Sequence, residues 1–211
     1  DYNGEPVDFN ITNADLLELY PIATTKAKED ENIMEMARKI NLDLQNKHPG
    51  YYALWKHIVE VSSTEVKSIY KDLNTSFDLW EGESDNCEYM DDTLKFLKDK
   101  NIIIESEGAQ VINVSEPTDT LEIPPLILVK KNGAVSYEAT DIAAIWERTN
   151  KYDIDEMWYM TDKRQELHFK QVFRAATKSE LVKPELKFVF NGFGTMNGPD
   201  GKPFKTRDGG V

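Results

Sequence analysis

The stretch from Leu126 to Asn191 constrains the fold more than any other, because apolar runs of strand length alternate there with segments of helical period. PPLILVKKNGAVSY holds two apolar or alternating runs around Asn132-Gly133, which reads as a β-hairpin covering 126–135. A helix is predicted over 139–150, with Ile142, Ala143, Ile145 and Trp146 on one apolar face. A strand over 156–161, a helix over 163–178 and a strand over 187–191 follow. Alternation of this kind implies an α/β fold on a doubly wound parallel sheet. Ligands of such sheets bind outside the carboxyl ends of the strands. Tyr137, Asp141, Gln165, His168 and Thr195 all follow predicted strands, so they could converge on one crevice.

The chain ahead of this stretch reads as mainly helical. Asn13 can cap a helix carrying Leu16, Leu17 and Leu19, interrupted at Pro21. A second helical run carries Ile33, Met36, Ala37, Ile40 and Leu44, and the acidic EDEN run at 29–32 marks a helix start or bend. Pro49-Gly50 opens a long helix whose expected buried face is Tyr52, Trp55, Val59, Val66, Ile69, Tyr70 and Leu73. His48 and His57 have no second histidine or cysteine at metal spacing, so they read as packing or capping residues. A short strand over 77–80 leads into Gly82-Glu83-Ser84. An amphipathic helix over 89–100 turns Met90, Leu94 and Leu97 inward, and NIIIESEGAQVINV reads as a hairpin turning at Glu107-Gly108. The division expected is 1–84 helical, 85–122 a helix and hairpin insertion, and 123–211 the second half of the α/β core.

Charge and cysteine content narrow the function. With 38 acidic against 25 basic side chains the net charge is −13, the wrong sign for gripping a polyanion. Any RNA partner should be held mainly by regions outside these residues, and DNA is not expected. The lone cysteine, Cys87, excludes an internal disulfide and fits a reducing, cytoplasmic setting. No apolar run approaches the roughly 20 residues that a membrane helix needs.

Several motifs, in order, carry a family resemblance over most of 20–211. Tyr137-Glu-Ala-Thr-Asp141-Ile-Ala-Ala, followed by Gln165-Glu-Leu-His168-Phe-Lys-Gln171, resembles the amino-acid-binding segment of the arginyl-tRNA synthetases, class I enzymes with a Rossmann-like core. FNGFGTMNGPDGKPFKTRDGG, Phe190 to Gly210, resembles the stretch that soon follows in that family, and Gly82-Glu83-Ser84 its GES element. The resemblance implies ATP-dependent activation of L-arginine to arginyl-adenylate, with magnesium accompanying ATP, and transfer to tRNA(Arg). It also implies that the chain is a fragment. The family's HIGH motif would lie upstream of Asp1, no H-x-G-H occurs within the chain, and the anticodon-binding domain would follow Val211.

For individual residues the resemblance implies arginine contacts from Tyr137, Asp141 and Gln165. A guanidinium has five donors in one plane, matched by a carboxylate and oxygen acceptors. From position alone, an acid in the first turn of the predicted helix either complements the helix dipole or holds a cation. His168 is either a packing residue or an ATP contact. Gly194, Thr195 and Met196 fall where the family's main chain meets adenine. Lys202-Pro-Phe-Lys205-Thr206 resembles a divergent KMSKS signature, with Lys205, and more weakly Lys202, stabilising charge on the reacting phosphate. By composition the same run is a mobile Gly/Pro loop. No resident metal site is expected. The alternative is a non-catalytic module that binds arginine or nucleotide.

Overall fold

The computed structural model describes residues 10–195, 197, 198 and 201. The chain divides into two compact units, one over Asp1–Asp78 and Met196–Val211, the other over Leu79–Thr195.

The first unit contains helices α1 (Asn13–Glu29), α2 (Glu31–Gln45) and α3 (Pro49–Asp72). Thr12, not Asn13, caps α1: its hydroxyl accepts from the Asp15 amide at 3.3 Å, and the Asp15 carboxylate accepts from the Thr12 amide at 2.8 Å. Pro21 does not interrupt α1, which runs through it. Proline removes one donor, and Leu17, whose carbonyl loses that donor, is exposed, so water can replace the bond. Asp30 ends α1 and caps α2, as the acidic run suggested. His57 donates from Nε2 to the Ile11 carbonyl at 3.0 Å, a packing role as expected. The stripe on α3 has the predicted period but is not buried: Ile69 is 54% and Leu73 68% exposed. None of α1, α2 or α3 has a buried residue; among the described residues of this unit nothing beyond the three helices covers the stripe.

The second unit carries the core. A 3-10 helix (Glu83–Tyr89) leads into α4 (Met90–Asp99), then β1 (Ile103–Ser106), β2 (Ala109–Ile112) and β3 (Leu126–Val129). Next come α5 (Tyr137–Lys151), β4 (Glu156–Asp162), a 3-10 helix (Lys163–Gln165), α6 (Glu166–Lys178) and β5 (Lys187–Phe193). The β1–β2 turn has Glu107 at φ 51° and Gly108 at φ 81°, the two left-handed residues that a tight two-residue hairpin requires. β4 and β5 pair in parallel from Glu156↔Lys187 to Asp162↔Phe193, with α6 as the crossover, so the α/β alternation holds there.

Three details differ from expectation. β3 pairs antiparallel with β2, giving a β1-β2-β3 sheet rather than extending the parallel pair. The hairpin read over 126–135 is shorter than expected: its first strand ends at Val129, and after the turn at Gly133 (φ 83°) its return is the single bridge from Val135 to Val129. Ser136 diverts the chain there, donating its hydroxyl to the Ile127 carbonyl and accepting from the Ala139 amide. Residues 77–80 form no strand; Phe77 and Trp80 are 52% and 44% exposed.

α5 lies at the centre of the core. Ile142, Ala143 and Ile145 are fully buried against Leu126 and Leu128 of β3, Leu97 of α4 and Val172, Ala175 and Ala176 of α6. Each such aliphatic side chain contributes about 1.5–3 kcal/mol by leaving water. The opposite face of α5 is thereby fixed, and it builds the site.

Candidate active site

The Ser136 cap starts α5 two residues earlier than the apolar pattern suggests, so Tyr137 is the first helical residue and Asp141 the fifth. The first-turn acid is Glu138. Dipole stabilisation fades beyond the first turn, so complementing the dipole does not explain Asp141. Its carboxylate Oδ2 instead lies 2.7 Å from His168 Nε2, and its side chain is 24% exposed.

Asp141 lines a crevice of about 270 Å³ whose walls come from four places, one of them Phe169 of α6. α5 contributes Thr140, Asp141, Ala144 and Arg148, which share one helical face through spacings of three, four and seven. β4 contributes Tyr159, Met160 and Thr161 at its carboxyl end. Gly82, Glu83 and Asn86 close the remaining side, which brings the Gly82-Glu83-Ser84 segment beside Asp141. The crevice thus sits where an open α/β sheet binds its ligands.

Burial pushes the Tyr159 phenol up to about 12; the Asp141 charge adds to this and Arg148 opposes it. Tyr137 is also raised, by burial first and then by the Glu138 and Asp141 charges. Both phenols therefore stay neutral at physiological pH, able to donate and to accept. Among the described residues no three His, Cys, Asp or Glu side chains are grouped to hold a metal ion.

Of the residues expected from sequence, the structure brings Tyr137, Asp141 and His168 together; the Tyr137 and His168 rings are 5.1 Å apart. Gln165 ends the 3-10 helix ahead of α6, exposed and three residues before His168; like Tyr137 and His168, it does not line the crevice. That 3-10 helix is pressed onto β5: a Cβ on Gly192 would stand 2.9 Å from the Lys163 Cα. Gly194 and Thr195 directly follow β5. Met196, Lys202 and Lys205 lie outside the described residues. Sequence reasoning did not single out Arg148, Tyr159 or Asn86 as site residues. The only signal for Arg148 was its place seven residues after Asp141.

The second unit is an α/β domain with a crevice at the carboxyl end of a parallel strand, and sequence comparison gives its family. The chain belongs to the family of tRNA synthetases class I (R), catalytic domain, whose model matches residues 2–211. All 211 residues align with the arginine–tRNA ligase of Alkaliphilus oremlandii at 47% identity, and with that of Francisella tularensis subsp. holarctica at 45%. The chain spans 36% of the length of each of these curated relatives. The crystal structure of arginyl-tRNA synthetase from Plasmodium falciparum superposes with a TM-score of 0.67 at 25% identity, covering 78% of this chain and 28% of that one.

Proposed function

We propose that the chain is part of an arginine–tRNA ligase and supplies its amino-acid pocket. The complete protein activates L-arginine with ATP and transfers it to tRNA(Arg). The observation that carries this reading is the Asp141 carboxylate on the crevice wall, which it shares with the Tyr159 phenol, in a chain that aligns along its whole length with arginine–tRNA ligases. Asp141 would take the guanidinium charge, with the Tyr137 hydroxyl and the Gln165 amide oxygen accepting further N–H bonds. A hydrogen bond to a charged group contributes about 1.5–3 kcal/mol. A site built around such acceptors rejects analogues that lack the donors by about 10⁴-fold or more.

In activation, a carboxylate oxygen of arginine attacks the α-phosphorus of ATP and the bond to the β-phosphate breaks, releasing pyrophosphate and leaving arginyl-adenylate. Gly194, Thr195 and Met196 would hold adenine by their main chain. Lys205, helped by Lys202, would stabilise the charge that develops on the phosphate oxygens. Magnesium would arrive on the ATP phosphates, its usual mode, since no acidic cage is present among the described residues. With a net charge of −13, this chain contributes little to holding tRNA, which falls to other parts of the protein. We place the reaction in the cytoplasm; no described helix is long and apolar enough to cross a membrane.

The test is ATP–pyrophosphate exchange by the complete protein. Exchange should depend on arginine and be absent with lysine or citrulline. Exchange driven equally by lysine or citrulline would overturn the reading.

A further inference from the structure

The hydrogen bond between α5 and α6 gives His168 a task that neither packing nor ATP binding describes. A carboxylate at neutral pH has no proton to give, so the ring nitrogen must be the donor: Nε2 carries hydrogen and points at Asp141. At 2.7 Å the bond is as short as charge-assisted N–H···O⁻ bonds are. The ring is held on two sides, by Tyr137 at 5.1 Å and by the edge of Phe169 at 4.8 Å, and only 14% of the His168 side chain is exposed. It cannot swing away without breaking both contacts. Asp141 has no Lys or Arg partner among the described residues, and His168 is its one ion-pair contact there. The other carboxylate oxygen, and the second lone pair of Oδ2, therefore remain available.

We infer that His168 is a positioning residue of the amino-acid pocket: its Nε2–H fixes the rotamer in which Asp141 presents its carboxylate to a guanidinium. This rests on the arginine reading above. An exposed aspartate on a helix samples several rotamers, and each one it must give up on binding weakens the complex. The imidazole removes that cost in advance while leaving the negative charge in place. It does so from α6, so the pocket charge is set by the packing of two helices rather than by α5 alone. With its protonated nitrogen committed to Asp141 and its ring covered by Tyr137 and Phe169, His168 belongs with the amino acid rather than with ATP.

The experiment is steady-state exchange in the complete protein, measuring KM separately for arginine and ATP. His168→Ala should raise KM for arginine about tenfold to a hundredfold and leave KM for ATP within about threefold, the size expected for one hydrogen bond to a charge. His168→Gln, which keeps an N–H donor of similar reach, should recover most of the loss. A rise confined to the ATP KM, or no rise in either, would overturn the proposal. So would equal loss in the Ala and Gln variants with unchanged thermal midpoints. Should both variants unfold, ¹⁵N imidazole spectra of the wild type decide: the Nε2–H signal should shift on adding arginine and not on adding ATP alone, and a response to ATP alone overturns the assignment. Wild-type exchange that ignores arginine would sink the substrate reading itself, a separate failure.

Discussion

Arg174 on α6 grips Asp119 with both terminal nitrogens, at 2.8 and 2.7 Å, and also donates to the Val114 carbonyl at 3.1 Å. This ties the long β2–β3 connection to α6, the helix that carries His168. The Arg174 guanidinium, and then the Glu116 amide, hold the Asp119 carboxyl far below the usual carboxylate range.

A carboxyl depressed in the folded state stabilises the fold at any pH above its unfolded value, about 3.9, and loses that contribution as pH falls toward the folded value. Asp119→Asn should therefore be less stable than wild type at pH 7, by a gap that stays constant down to about pH 5. Below that the gap should close, because only the wild type loses a charged contact. Urea midpoints across this pH range measure it; a gap that widens with acid would contradict the assignment.

Gly192 presses on the 3-10 helix that carries Gln165. A Cβ there would stand 2.9 Å from the Lys163 Cα and 2.9 Å from the Phe190 ring, whereas one on Gly194 would meet nothing within 4 Å. Gly192→Ala should cost about 1–3 kcal/mol, the usual range for overpacking. Gly194→Ala should leave stability unchanged and weaken ATP binding instead. Chemical denaturation and nucleotide titration of the two variants separate these effects.

Ser136 caps α5 through its 3.2 Å bond from the Ala139 amide while its own hydroxyl donates to Ile127. Ser136→Ala should lower stability by about 0.5–2 kcal/mol. It should also weaken arginine binding, since the first turn of α5 carries Tyr137 and leads to Asp141. Calorimetric unfolding and arginine titration of one variant test both halves.

Most of the elements were legible in the sequence where a local pattern governs. The β1–β2 turn follows from Glu107-Gly108, the break between α1 and α2 from Asp30, and the buried face of α5 from its period. The misreadings have tertiary causes. The apolar period of α3 was correct, but periodicity does not say whether a second layer covers the stripe. β3 looked like a strand of the parallel sheet, yet the hairpin's β2 takes its edge. Asp141 was read as a first-turn acid because the Ser136 cap, which sets the helix start, depends on a bond to Ile127 across a turn. The crevice residues Arg148 and Tyr159 carry no motif of their own; folding brings them to Asp141.

The central claim, that Asp141 reads the substrate guanidinium, is tested most directly by titrating L-arginine into wild-type protein and Asp141→Ala by isothermal calorimetry, with lysine and citrulline beside it. The wild type should bind arginine selectively, and the variant should bind it about ten- to a hundredfold more weakly, the loss expected of a charged hydrogen bond. Equal arginine affinity in the two proteins would contradict the account.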